Sequence, residues 1–211
     1  MHADTTTAPE PLPRGRHKLS REDVRESQRR RLITAMLERV SEQGYAATTL
    51  GDVVSAARCS RNAFYDLFED KEACYIAACD ETATEMLEAL YSAVEEQSWL
   101  AALRRGMRSY LRWWAEHPQF AAAYVIDLPA AGRRALEQRD RAYARFAAMF
   151  EALAARARTE QPLLGPLSPL APRLLVTGIT EIVGQEVREG RVDALPELEE
   201  ELVQLVVKTL S

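Results

Sequence analysis

Apolar residues recur at three- and four-residue steps along almost the whole chain and nowhere alternate with the period of two that marks a half-buried strand. The pattern predicts an all-α protein of about nine helices with no internal repeat. The first helix is expected over residues 23–42, with Ile33, Met36, Leu37 and Val40 as its buried stripe and Gly44 as its stop. Two short helices follow, up to residue 68. Leu50, Val53, Val54 and Ala57 pattern the first of them, and Ala63, Phe64, Leu67 and Phe68 the second. A long fourth helix is predicted over 71–97 and a fifth over 99–116, ending before Pro118. The sixth covers 119–127, and the seventh starts at Pro129 and reaches residue 158. Four prolines and a glycine make 161–172 a loop. The eighth helix spans 172–189 and stops at Gly190. The ninth starts at Pro196 as an N1 proline, with acidic residues in its first turn that suit the helix dipole.

The two short helices carry the sharpest local signals. Thr49 and Asp52 stand three apart just before Val53 and Val54, a capping-box spacing with Asp in the usual Glu or Gln place. Ser60 is an N-cap for the next helix. Only a few residues around Arg58 and Cys59 separate the pair, which makes a helix-turn-helix. In such a unit the second helix enters the DNA major groove and its N-terminal residues reach base edges. Arg61, Asn62 and Tyr65 occupy its early turns. Arginine can bond guanine bidentately and asparagine adenine; the alternative for both is contact with phosphate or water only. Tyr65 is placed to bond a phosphate through its hydroxyl, while Phe64 packs inward.

Residues 44–71 resemble the DNA-binding domain of the tetracycline-repressor (TetR) family of bacterial regulators. The resemblance is carried in order by Gly44, Tyr45, Thr48, Thr49, Val53, Ala57, Ser60, Phe64, Tyr65, Phe68, Lys71 and Glu72. Three positions depart: Arg58 stands where the family has a turn glycine, Cys59 where it has valine and Leu67 where it has histidine. Arg58 is expected to carry a small local strain, because that turn position often needs the positive φ that glycine adopts freely. The resemblance implies DNA contacts from Thr48, Thr49, Ser60 and Lys71 beside Arg61, Asn62 and Tyr65. Thr48, Thr49 and Lys71 are phosphate contacts in that reading. Thr49 can also cap its helix, since capping uses only part of a hydroxyl's capacity. Lys71 at a helix start opposes the dipole, which favours a phosphate partner.

Charge changes the picture only when it is located. The net charge of −5 argues against nucleic acid, yet Arg14, Arg16, Lys18, Arg21, Arg25, Arg29, Arg30, Arg31, Arg39, Arg58 and Arg61 concentrate in the first third, and the acidic excess follows later. Local basic surface governs phosphate contact. Residues 1–19 read as a disordered, basic arm rich in Pro and Thr. Arg14, Arg16 and Lys18 either follow the minor groove or backbone or belong to a solvated tail. The arm lacks the apolar core of a secretory signal, and no apolar run approaches the length of a membrane span, so a cytoplasmic protein with no membrane partner is expected. Cys59, Cys74 and Cys79 lack metal-ligand spacing and read as free thiols. His2, His17 and His117 are scattered, and there is no phosphate-cradling loop or nucleophile elbow, so neither an enzyme nor a bound metal or cofactor is expected.

The resemblance also assigns the body. It implies a DNA-binding domain over 20–70 and a ligand-binding and dimerisation domain over 71–211. Stripes of Met107, Tyr110 and Trp114, of Phe120 and Tyr124, and of Phe146 and Met149 would be core in an unknown protein; the family enclosure of an inducer by the middle helices makes them the expected pocket. Trp113 and Trp114 point about 100° apart on a helix, and Trp114 is the one expected to face the ligand. Thr177 and Glu181 are its further polar candidates beside Tyr110 and Tyr124. Leu175, Gly178, Ile179, Ile182 and Val183 on the eighth helix, with Leu198, Leu202 and Leu205 on the ninth, are the expected homodimer face, as half of a four-helix bundle. The alternative is that they cover their own core, with Gly178 and Gly184 allowing close packing against something. The expected function is a regulator, most simply a repressor that binds a palindromic double-stranded DNA operator as a dimer and is released by a small apolar or amphipathic effector. Alternatives are an activator, a corepressor-dependent regulator, or a helical ligand carrier or enzyme.

Overall fold

The computed structural model describes residues 20–91 and 98–210. The expected basic arm with Arg14, Arg16 and Lys18, and the last turns expected of the fourth helix, 92–97, lie outside the described residues. Every regular element among the described residues is helical. The chain divides into two compact units between Cys79 and Asp80, inside the fourth helix.

The first unit is built from α1 (Arg21–Gln43), α2 (Leu50–Ala56), α3 (Arg61–Tyr65) and the start of α4 (Lys71–Tyr91). α1 begins at Arg21, two residues before its expected start, because Ser20 closes a capping box: Asp23 N–H donates to Ser20 Oγ at 3.0 Å, and Ser20 N–H to the Asp23 carboxylate at 2.8 Å. Those bonds hold the Asp23 carboxyl below its ordinary pKa. Gly44 ends the helix at φ 82°. The core of this unit joins Leu32, Met36 and Val40 to Val53, Phe64 and Phe68. It also takes in the start of α4. Tyr75 stacks on Tyr45 at 4.8 Å, and Cys74 packs against α1. The unit boundary therefore falls beyond residue 70.

The second unit contains α5 (Trp99–Glu116), α6 (Pro118–Ala122), α7 (Arg133–Glu160), α8 (Ala171–Arg188) and α9 (Glu199–Leu210). α5 buries Trp99, Leu103, Met107, Leu111 and Trp114, the three- and four-residue spacing of one face. Arg108 grips Glu199 bidentately at 2.8 Å, and Arg104 pairs with Glu200, so α5 is tied to the first turn of α9.

Three sequence expectations are corrected here. The sixth helix is broken in kind: α6 gives way to a π-turn over Ala123–Asp127. Pro129 sits in a 3-10 turn, Leu128–Ala131, and Gly132 at φ 115° then resets the chain before α7 begins at Arg133. Pro196 likewise lies inside a 3-10 turn, Val192–Leu198, and α9 starts three residues later at Glu199. Pro129 offers its fixed φ and missing N–H to the first turn of a 3-10 segment as it would to an α-helix, whereas Pro196 sits inside its 3-10 segment.

Candidate nucleic-acid interface and ligand cavity

In the first unit both caps form. Thr49 Oγ1 accepts the Asp52 N–H at 3.2 Å, and Asp52 accepts the Thr49 N–H at 2.8 Å. Ser60 Oγ accepts the Ala63 N–H at 3.1 Å and so starts α3. The turn between them is held from outside the pair. Arg31 donates to the carbonyls of Ala57, at 2.9 Å, and Arg58, at 3.3 Å. Arg58 itself takes φ 51°, so the strain expected of it is present in the backbone. In the sequence Arg31 is one basic residue among several; an arginine one helix away gives no local signal that it closes this turn.

The caps leave α3 with a polar outer face. Arg61 and Asn62 are exposed, and Tyr65 is 57% exposed, while Phe64 is fully buried beneath them. A Cβ built on Gly51 would stand 3.9 Å from Arg61 Nη2 and 3.4 Å from Thr49 Oγ1, so the start of α2 and the first turn of α3 share one surface.

Two expected phosphate contacts have other work in this geometry. Thr48 is buried, and its hydroxyl donates to the Gly44 carbonyl at 2.8 Å. Lys71 Nζ donates to the carbonyls of Tyr45 and Thr48, both at 2.8 Å, and lies 4.0 Å from the centre of the Tyr45 ring. Burial pulls its ammonium below the usual lysine pKa. The mismatch with the helix dipole is thus met by backbone carbonyls of the loop between α1 and α2. The Thr49 hydroxyl donates a hydrogen bond to the Asp52 carboxylate at 2.7 Å while capping. Cys59 is partly buried, and burial pushes its thiol up; Cys74 is pushed to about 12.

The second unit encloses a cavity of about 260 Å³. Met107, Tyr110, Trp114, Phe120, Tyr124, Phe146 and Met149 all line it, together with Met86, Leu90 and Tyr91 from α4. The π-turn delivers Tyr124 to this wall. It also sets Val125 3.0 Å from where a Cβ on Gly184 would stand, so that glycine permits close packing within the protomer. Trp113 turns away and stacks on His117 at 4.1 Å.

Thr177 and Glu181 are corrected. Thr177 donates to the Arg173 carbonyl of its own helix at 2.9 Å, and Glu181 is exposed and paired with Arg188 at 2.5 Å. The α8 residues that reach the cavity are Val176, Ile179 and Thr180, one register step away.

Polar groups cluster at one corner of the lining. Tyr110 Oη and Thr180 Oγ1 are 3.5 Å apart, a long contact for hydroxyls. Thr180 also lies close enough to the Tyr143 hydroxyl to favour its ionised form. Burial pushes the Tyr110 phenol to about 12 and raises that of Tyr143. The Trp114 indole N–H lies beside the Tyr110 hydroxyl yet makes no well-formed hydrogen bond, and the residue is only 2% exposed. A buried donor left so costs about 1–3 kcal/mol. Among the described residues of the lining the charged side chain is Arg156, paired with Glu160 at 2.8 Å, and that carboxylate also accepts the Trp99 backbone N–H at 3.0 Å.

The expected dimer face is divided. Leu175, Ile179, Val183 and Leu202 are buried in their own protomer, and Leu198 is half-buried. Leu174 (66% exposed), Ile182 (37%) and Leu205 (46%) face outward, and a Cβ on Gly178 would meet nothing within 4 Å.

A family model for bacterial regulatory proteins of the tetR family matches residues 32–78, from the middle of α1 into α4. Among solved structures, the transcriptional regulator FadR from Bacillus subtilis, crystallised with stearoyl-CoA, is similar with a TM-score of 0.76 at 17% identity. The match covers 84% of this chain and 96% of that one. The fatty acid degradation regulator FadR from Bacillus halodurans gives 0.78 at 16% identity, over 85% and 94%. A TetR-like transcriptional regulator from Rhodococcus sp. RHA1 gives 0.63 at 23% identity, over 92% and 97%. No curated protein matches the chain by sequence. No helix among the described residues is long and apolar enough to cross a membrane.

Proposed function

We propose that this member of the tetR family of bacterial regulatory proteins is a ligand-responsive repressor that holds a palindromic operator as a dimer and releases it when an apolar or amphipathic effector fills the cavity of its second unit. Regulators of this family are DNA-binding transcription factors without enzymatic activity. The carrying observation is an apolar, aromatic-lined cavity inside a chain whose helix-turn-helix presents Arg61, Asn62 and Tyr65 to solvent. The stearoyl-CoA held by the Bacillus subtilis regulator supports a long apolar effector for a cavity of this lining.

Thr49, Ser60, Arg61, Asn62 and Tyr65 form the proposed DNA face, with Arg61 and Asn62 reading bases and the capping hydroxyls beside the phosphates. Leu174, Ile182 and Leu205 replace the buried leucines and valines as centre of the proposed dimer face. A dimer must set its two recognition helices about 34 Å apart to enter successive major grooves. An effector that favours a differently spaced dimer lowers operator affinity by the ratio of its affinities for the two states. Met86, Leu90 and Tyr91 make α4 the proposed lever, since they line the cavity on the helix that begins in the DNA-binding unit. Arg145 on α7 bonds Asp80 and Thr84 of α4 at 2.7 and 2.9 Å, which ties this lever to the cavity wall. Such a protein works in the cytoplasm, where the operator is.

Selection of bound fragments from sheared genomic DNA of the source organism tests the reading. A recovered inverted repeat near the protein's own gene is the expected result. Recovery of unrelated sequences in proportion to their abundance would overturn it.

A further inference from the structure

The cavity is long for its volume, and its two ends differ. We propose that the effector is a slender, unbranched chain of about ten carbons that enters tail first and leaves its polar head at the end of the cavity beside Arg156. The proposal rests on the reading of this cavity as the effector site.

The helices that wall the cavity give its length. On α5 the lining runs from Ala102 to Trp114, about 18 Å of helix. On α7 it runs from Tyr143 to Arg156, about 20 Å. Ala102 and Gly106 have no side chain that could reach a distant space, so the cavity passes directly beside them. A round cavity of about 260 Å³ would be only about 8 Å across. A cavity of about 150 Å³ holds one benzene, so this one holds roughly ten carbons. Ten carbons fill a slot of that length as an extended chain, whereas a fused-ring body leaves much of its wall uncovered.

The bonds between the helices show which ends coincide. Glu160 pairs with Arg156 and accepts the Trp99 backbone N–H, so the end of α7 lies against the start of α5. Farther along, Phe146 meets Tyr110 at 6.2 Å between ring centres, so these two helices run antiparallel. Arg145 bonds Asp80 and Thr84, and Gln138 bonds Asp80. Thus α4 runs with α7 and brings Tyr91 to the Arg156 end. That end is open: Tyr91 is 54% exposed, and Ala152 is exposed. The far end is closed by Trp114, Phe120 and Tyr124, all buried, with ring centres 5.1–5.9 Å apart. The Tyr110 and Thr180 hydroxyls near it face each other at 3.5 Å. A polar head keeps its water at the open end and would lose it at the closed one. An alkyl tail gains by leaving water for the aromatic floor.

Calorimetric titration of the full chain at pH 7 with two eleven-carbon alcohols, undecan-1-ol and 1-adamantanemethanol, tests the shape. The chain is expected to bind at least about tenfold tighter than the cage, because it covers more of the slot's apolar wall. Nonan-1-ol should bind about fifteenfold more weakly than undecan-1-ol, about fourfold per CH₂ removed, and tridecan-1-ol should gain less than about twofold. An adamantane alcohol that binds as tightly as the chain, or fourfold gains per CH₂ that continue to tridecan-1-ol, would overturn the proposal alone. Tryptophan quenching by bromine reads the direction. Trp114→Phe should take away most of the quenching by 11-bromoundecan-1-ol and little of that by 2-bromoundecan-1-ol; the reverse would overturn tail-first entry. The titrations need no variant, so the proposal stays testable if Trp114→Phe fails to fold. Gly106 lines the cavity with open space around its missing Cβ, so Gly106→Phe should plug it. Binding of none of the alcohols, or binding that this plug leaves unchanged, would sink the ligand-cavity reading itself and the proposal with it.

Discussion

Arg58 shows what one residue costs this fold and what holds it in place. A side chain with a β-carbon in the left-handed region costs about 1–2 kcal/mol, and Arg58 sits there at φ 51° with its carbonyl held by Arg31. Glycine would remove that strain but would give back about 0.4–1 kcal/mol through the freer unfolded chain. Arg58→Gly is therefore expected to stabilise the protein by about 0.5–1 kcal/mol, read as a higher midpoint in thermal unfolding. A lower midpoint would mean that the arginine side chain makes a stabilising contact that outweighs its backbone strain. The residues around the turn also show how far a sequence can be read. Thr49, Asp52 and Ser60 announce their caps because partner and cap lie within three positions. Lys71 and Arg31 are bonded to carbonyls more than twenty residues away, and no local spacing encodes that.

At the scale of elements, α8 supplies both a wall of the cavity and part of the proposed dimer face. Its apolar positions surround the helix too broadly for periodicity to say which side faces inward. That is why Thr177 and Glu181 were expected at the cavity where Thr180 stands, and why Val183 was expected at an interface although it is fully buried. On α5 the cavity stripe was legible because that helix buries one face, whereas the π-turn and α7 carry consecutive apolar residues, and there the family resemblance rather than the spacing pointed to the cavity. Leu174→Glu with Leu205→Glu should yield folded monomers in sedimentation, since both side chains point outward. Val183→Arg should instead unfold the second unit, by burying an unpaired charge. A stable dimer in the double variant would move the interface off this face. The link from α5 to α9 has a pH signature. The Arg104 guanidinium and Gln204 hold the exposed Glu200 carboxyl at about 2, below the usual carboxylate value. Its contribution is present above the ordinary range near 4.5 and is lost as pH falls through about 2. Glu200→Gln should flatten the acid limb of a stability–pH curve, and the difference should shrink in high salt because the pair is exposed. An acid limb identical in both proteins would remove the pair from the account.

For the whole molecule, charge and fold point in different directions until they are located. A chain of net charge −5 binds DNA only if its positive charge is gathered on one surface; its first 70 residues carry eleven Lys and Arg against eleven Asp and Glu, so the whole negative excess lies in the remainder. The acidic remainder disfavours unproductive docking on DNA. The central claim is that this surface reads sequence rather than only holding phosphate. Fluorescence anisotropy with the full chain tests it most directly, at roughly physiological salt, on a labelled inverted repeat from beside its own gene and on a shuffled duplex of the same composition. The account predicts binding to the repeat at least about a thousandfold tighter than to the shuffled duplex, with Arg61→Ala losing about tenfold or more of that discrimination. Equal affinity for the two duplexes, or discrimination that Arg61→Ala leaves intact, would contradict it.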